Sequence, residues 1–189
     1  MVMVASIVLL ITKMYQNREK VNYYKKEKKM SKNKLELRMY GLVPYNISPI
    51  QQGIQHGHAV VEYGNKHRDD PEYLDWAKNW KTFIIFNGGT TNTNKQRLGT
   101  MNRHLTTLKM MGVKVAPFFE PDLGDQLTGI AFILDERIFN KVAYPNYKDW
   151  CAENNIVEDT KANHARWLKT IGGEKNEKIR EYISKFRLA

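Results

Sequence analysis

Gln55, His58 and Glu120 are the residues whose chemistry and spacing most directly suggest a site. Gln55 and His58 are three residues apart, so they share one face of a helix. Glu120 follows a run of apolar residues, at the point where a strand is expected to end, so the sheet fixes the direction of its side chain. A carboxylate in that position can act as a general base or orient a polar ligand.

The stretch 39–63 predicts a buried strand that leads into a helix. Residues 39–45 are mostly apolar or aromatic and are flanked by turn formers, as expected for a strand that is covered on both faces. The helix begins at a definite place, because Ser48 can cap it and Pro49 suits the first helical position. Gln51 completes a Ser-x-x-Gln capping box.

Two faces of this helix follow from its period of 3.6 residues. We expect the buried face to carry Ile50, Ile54 and Val61, with Gly53 and Gly57 allowing the backbone to approach a sheet. The opposite face carries a polar stripe: Gln51, Gln55, His58 and Glu62. Ligands of open α/β sheets bind at the carboxyl ends of strands, so the stripe is a candidate site. The alternative is a solvated face with one helical histidine.

A glycine pair follows the second predicted strand, KTFIIFN. The turn from Asn87 to Asn92, NGGTTN, can present backbone N–H groups to an anion, beside the positive end of the next helix. The alternative is a tight turn, with a residue at 93–94 capping that helix. We expect the helix to span 94–111. Its apolar side would carry Leu98, Met101, Leu105 and Leu108, and its basic residues are Lys95, Arg97 and Arg103.

Two further strands and a helical tail complete the pattern. VKVAPFFE, ending at Glu120, is the third strand, and Pro117 within it favours an edge position or a bulge. TGIAFILD is the fourth strand, while Asp122 and Asp125 suit turn formation and capping. Additional helical segments are expected at 71–80, 162–170 and 174–188. We interpret Trp150 and Trp167 as packing anchors.

Charge and cysteine content narrow the class of protein. The formal net charge of the 189 residues is +10, but residues 1–38 hold ten Lys/Arg against three Asp/Glu. The remaining chain is close to neutral. Contact with phosphate would therefore need a local cluster of Lys and Arg side chains, since the domain as a whole has little positive charge. The single cysteine, Cys151, excludes an internal disulfide and favours a reducing compartment. His and Cys spacing predicts no metal site, and we expect no cofactor.

The leader, residues 1–38, opens with twelve largely apolar residues followed by lysines. A helix needs about 20 apolar residues to cross a bilayer, so a full span is not expected. Three interpretations stay open: a weak membrane anchor, a disordered tail, or upstream sequence before a start at Met30. We divide the rest into a core, 39–150, and a C-terminal helical extension, 151–189, which could cover the sheet or contribute to a homodimer.

The order of these pieces resembles the type II peptidyl-tRNA hydrolases, in particular divergent relatives encoded by large tailed bacteriophages. The Gln-Cys-x-His-Ala motif of that family is matched by residues 55–59, and its Met-Leu-Gly-Leu turn by residues 110–113. Counting onward from this turn by the distance found in the family places its active-site aspartate at Glu120. The resemblance covers about residues 39–134. The family lysine falls on Gln51, and the loop after Glu120 lacks the family threonine.

The resemblance implies a single α/β domain with a mixed four-stranded sheet between helices, to which the sequence of residues 151–189 adds the helical C-terminal extension. It also implies hydrolysis of the ester between a peptide and the 3′ end of tRNA, in the cytoplasm of a host cell. Glu120, Gln55 and His58 would be catalytic. The acceptor end of tRNA would be held by Gln51, Asn87, Gly88, Gly89, Thr90, Arg97 and Arg103. The alternative is an inactive relative that binds a nucleotide, an RNA or a host protein.

Overall fold

A mixed four-stranded sheet forms the centre of the fold. The computed structural model describes residues 34–92 and 97–189. The strands are β1 (Leu37–Val43), β2 (Thr82–Asn87), β3 (Val115–Glu120) and β4 (Gln126–Asp135), in the order β2-β1-β4-β3. β1 is parallel to β2, and β4 is antiparallel to both β1 and β3. β1, β2 and β3 therefore end, and β4 begins, at one edge of the sheet, which we call the carboxyl edge.

Helices cover both faces of the sheet, as the sequence predicts. They are α1 (Pro49–His67), α2 (Pro71–Asp75, continued by a π-helical turn, Trp76–Trp80), α3 (Thr100–Met110), α4 (Glu136–Phe139), α5 (Tyr147–Glu153), α6 (Lys161–Ile171) and α7 (Glu174–Ile183). On one face α1 and α2 contribute Ala59, Tyr63 and Trp76 to the core. On the other face α3 and α7 contribute Leu105, Leu108 and Ile179. The protein is therefore an α/β domain with a helical C-terminal extension.

The start of α1 confirms the predicted capping box. The Ser48 hydroxyl accepts a hydrogen bond from the backbone N–H of Gln51, at 3.3 Å. The Gln51 side-chain oxygen accepts the backbone N–H of Ser48, at 3.2 Å. Two N–H groups that the helix cannot pair internally are thereby satisfied, which fixes where α1 leaves the carboxyl edge.

The prediction of which face of α1 is buried is wrong. Its buried residues are Gln55, His56, Ala59 and Tyr63, whereas Ile50 is 78% and Val61 62% exposed. The glycines that allow the close approach belong to the sheet. A Cβ on Gly129 of β4 would lie 2.9 Å from the Ala59 Cβ, while a Cβ on Gly53 or Gly57 would meet nothing within 4 Å.

Other predicted boundaries shift by a few residues. β1 begins and ends two residues earlier than expected, and α3 begins at Thr100, which leaves Leu98 exposed. The expected cap at 93–94, Lys95 and residues 1–33 of the leader lie outside the described residues. α7 ends at Ile183, after which residues 187–189 pair with the outer edge of β2. The expected division at residue 150 falls inside α5.

The tail confirms its predicted packing anchors. Trp150 and Trp167 are buried with Ile171 in a separate apolar cluster, and the Trp167 indole N–H donates to the Pro145 carbonyl at 3.0 Å. Gly172 separates α6 from α7 with a left-handed backbone, φ 87°. Within residues 34–92 and 97–189, no helix is both long and apolar enough to span a bilayer.

Candidate functional site at the carboxyl edge

Gln55 and Glu120 meet at the carboxyl edge. The Gln55 Nε2 atom donates a hydrogen bond to Glu120 Oε2 at 2.6 Å. The Thr128 hydroxyl of β4 donates to Gln55 Oε1, also at 2.6 Å. Because Oε1 must accept the hydroxyl proton, the amide group is held with its N–H groups toward the carboxylate. Thr128 therefore orients Gln55, and Gln55 orients Glu120.

A β-bulge sets the direction of these side chains. In the pairing of β3 with β4, Phe118 lies opposite Gly129 and Phe119 opposite Leu127, so Thr128 is an extra residue without a partner on β3. Bulges of this kind redirect side chains at sheet edges. Here the bulge places the Thr128 side chain on the α1 side of the sheet, where its hydroxyl meets Gln55.

His58 lies beside the same strand. It is one turn beyond Gln55 on α1, and its ring packs on Phe118 with ring centroids 4.5 Å apart. Phe118 precedes Glu120 by two residues, so both side chains point to the α1 side of β3. His58 is exposed, whereas Gln55 is only 7% exposed. The structure thus joins Gln55 to Glu120 directly, and it places His58 beside them through the contact with Phe118.

The glycine pair at 88–89 does not present free N–H groups to an anion. The Gly88 N–H donates to the Val43 carbonyl at 2.7 Å, and the Gly89 N–H donates to the Asn87 side-chain oxygen at 2.8 Å. The Thr90 N–H donates to the Thr100 hydroxyl at 2.7 Å. These bonds fit the alternative interpretation, a tight turn attached to the start of α3.

The remaining expected binding residues are spread around the edge. Gln51 uses its side-chain oxygen in the capping box, and the Thr90 hydroxyl accepts the Thr100 N–H at 3.3 Å. Arg97 and Arg103 are exposed. Arg103 lies in the first turn of α3, which packs on the face opposite α1. Arg103 therefore lies near the carboxyl edge on the face of the sheet opposite Gln55 and His58.

Three further polar residues help to build this edge: Thr91 and Asn92 from the loop after β2, and Thr128, which sequence reasoning missed. Thr91 and Asn92 are buried. The Thr91 hydroxyl donates to the Leu127 carbonyl at 2.6 Å, and the Asn92 side-chain oxygen accepts the Leu127 N–H at 3.0 Å. They hold the loop after β2 against the start of β4, next to Thr128. A signal for Thr128 was available, since it is the polar residue at the head of an apolar strand.

His56 occupies an apolar position next to the site. Its ring fills the space above Gly41 of β1, where an added Cβ would collide with the imidazole. It meets the Phe83 ring edge to face, with ring centroids 5.4 Å apart. Among the described residues no hydrogen-bond partner reaches either ring nitrogen. Burial lowers the pKa of His56 to about 4, so the ring is neutral near pH 7.

Two surface pockets of the described chain lie elsewhere, in the C-terminal helices. They have volumes of about 370 and 640 Å³ and share Tyr147 and Asp159 in their walls. Neither is lined by Gln55 or Glu120. Among residues 34–92 and 97–189, no group of three His, Cys, Asp or Glu side chains is arranged to hold a metal ion.

Comparison with known proteins does not assign this chain to a family. No family model matches the sequence, and no curated protein matches it either.

Proposed function

We propose that the protein hydrolyses the ester that joins a peptide to the 3′ end of tRNA. The observation that supports this proposal is the chain of hydrogen bonds from Thr128 through Gln55 to Glu120, 2.6 Å at each step. It leaves one carboxylate oriented at the sheet edge where the family resemblance places an active-site acid. Such a hydrolase acts where translation takes place, so we place its activity in the cytoplasm.

The proposed reaction uses Glu120 as a general base. Gln55 engages Oε2, and Oε1 accepts a proton from a water molecule as that water attacks the ester carbonyl. The resulting oxyanion is stabilised by the second N–H of Gln55 or by an N–H of the His58 ring. When the tetrahedral intermediate collapses, the C–O bond to the ribose breaks and the Glu120 carboxyl returns the proton to the ribose oxygen. The products are tRNA and a peptide carboxylic acid, which releases its proton to solvent and becomes a carboxylate.

Side chains rather than backbone N–H groups would hold the acceptor end of the tRNA, because the N–H groups at 88–90 are already paired within the protein. Arg97 and Arg103 are the exposed cations that we assign to this role. Phosphate contacts by these two arginines alone would make only a weak contribution to the salt dependence of the affinity for tRNA.

A second candidate function, capture of RNA without turnover, is favoured by one observation. The resemblance puts a lysine at position 51, and this chain has Gln51, whose amide is used to cap α1. A neutral amide in that position supplies no charge to offset a developing oxyanion.

The test is release of N-blocked aminoacyl groups from tRNA by the wild type and by Glu120→Gln. Removing a general base lowers the rate by about 10²- to 10⁴-fold. Asp122→Asn is the matched control, because it neutralises an exposed carboxylate two residues away. We expect this control to keep the wild-type rate.

The same assay separates the two candidates. Equal rates for the wild type and Glu120→Gln would exclude Glu120 from the mechanism. A wild type that binds tRNA in a filter assay but releases no amino acid would favour capture over hydrolysis.

A further inference from the structure

The outer face of α1 is an apolar surface that the described residues, 34–92 and 97–189, leave uncovered. We define it by Ile50, Gly53, Ile54, Gly57 and Val61, which recur at helical spacing. Ile50 is 78%, Ile54 48% and Val61 62% exposed. These residues lie opposite the side of α1 that packs on the sheet. Contiguous exposed apolar residues on one helix face are typical of a contact surface.

The outer face is also open and uncharged. A Cβ added at Gly53 or Gly57 would meet nothing within 4 Å, so neither glycine is needed for packing among the residues that the structure describes. Pro49 through Val61 contains no Asp, Glu, Lys or Arg. Glycine in an exposed helix interior costs about 0.5–1 kcal/mol relative to alanine. Two such glycines between exposed isoleucines form a shallow depression that another helix can enter.

We propose that the outer face of α1 binds the same face of a second copy of this chain, with the two helices antiparallel. A two-fold interface requires a self-complementary surface. If the pair is centred between Gln55 and His56, Ile50 of one helix lies level with Val61 of the other. Ile54 then lies level with Gly57, so the Ile54 side chain of each helix has a gap at its own height in the opposing helix.

Charge supports the antiparallel arrangement. The first turn of α1 contains no acidic residue, so the positive end of its dipole is not compensated within the helix. In the pair described above, position 62 of each helix lies level with Pro49 of the other, so the carboxyl-terminal half of each helix runs beside the positive end of its partner. A parallel pair would instead place two uncompensated positive ends side by side.

The size of this surface predicts a reversible dimer. One helix pair of this length covers less than the ~800 Å² per partner that is usual in stable complexes. We therefore expect association that depends on protein concentration, which sedimentation velocity of the full chain measures directly.

Gly57→Leu is the decisive variant. The added side chain has open space in the monomer and replaces a residue of poor helix propensity, so we expect a melting temperature at or above that of the wild type. It fills the depression, so we expect the dimer to weaken by tenfold or more, as each lost ~1.4 kcal/mol is a factor of ten. Ile54→Lys should weaken the dimer in the same way, whereas Val157→Lys, at a valine that is 98% exposed and lies outside α1, should not.

Disulfide trapping tests the direction of the helices. In a Cys151→Ser background, Ile50→Cys and Val61→Cys proteins are mixed and oxidised. The antiparallel pair predicts that the mixed 50–61 disulfide exceeds the 50–50 and 61–61 products. A wild type that stays monomeric at every concentration would overturn the proposal. So would a dimer that persists in both Gly57→Leu and Ile54→Lys, or a mixture dominated by 50–50 and 61–61 products.

Discussion

His56 should make the stability of the fold depend on pH. Its pKa lies at about 4 in the folded protein, against 6.5 for an exposed histidine, because burial disfavours the charged ring. Between these two values the unfolded chain binds a proton that the folded chain does not. The free energy of unfolding therefore falls as the pH falls through this window, and is fully retained above the unfolded pKa.

The size of the effect follows from the two pKa values. A histidine that shifts from 6.5 to about 4 lowers the free energy of unfolding by about 1.8 kcal/mol between about pH 7 and about pH 5. Burial also lowers the pKa values of His67 and His104, so they add to the slope of the wild type. The contribution of His56 is therefore the difference between the wild type and a variant that lacks this ring.

His56→Phe is that variant, because it keeps a planar ring against Phe83 and cannot titrate. Urea unfolding at both pH values gives the free energies, and His56→Leu provides a second apolar replacement. We expect the loss between about pH 7 and about pH 5 to be about 1.8 kcal/mol smaller in each variant than in the wild type. Parallel pH profiles for the wild type and both variants would refute the assignment of a buried, neutral His56.

Two further predictions concern the carboxyl edge and the core behind it. Thr128→Val leaves the buried Gln55 side-chain oxygen without its donor, so we expect the free energy of unfolding in urea to fall by about 1–3 kcal/mol. An unchanged value would mean that another donor takes over. Gly88→Ala places a methyl group against the Met101 sulfur, so we expect a loss of about 1–3 kcal/mol from overpacking. Gly53→Ala, in open space, should instead stabilise α1 by up to about 1 kcal/mol, and thermal unfolding of the two alanine variants should shift in opposite directions.

Local signals in the sequence predicted where α1 begins but not which way it faces. The capping box needs only Ser48 and Gln51, three residues apart, and it forms as expected. The rotation of the helix depends on the strands beneath it. Gly41 and Gly129 leave room on the sheet, and the side chains of α1 that fill this room are those of His56 and Ala59. Helical periodicity alone could not reveal which glycines lie opposite the helix.

The meeting of Gln55 and Glu120 could be predicted, because strand direction places the end of β3 beside the start of α1. The role of Thr128 could not, because it depends on a bulge that adds one residue to β4. The hydrogen bonds of the glycine turn at 88–89 could not be predicted from the sequence either. Its sequence suggests free N–H groups, but the Thr100 hydroxyl, ten residues after Thr90, accepts one of them. Each missed feature depends on contacts between residues far apart in the chain.

The order of the strands constrains how the molecule can be synthesised. β4 is the last strand to leave the ribosome, yet it lies inside the sheet, between β1 and β3. A nascent chain that ends before Gln126 holds these two strands without the one that joins them, and unpaired strand edges promote aggregation. Gln55 also lacks its hydroxyl donor until Thr128 has been added. Completion of the sheet and alignment of Glu120 therefore occur together, once β4 has been synthesised. A chain truncated before Gln126 should have no oriented Glu120 carboxylate.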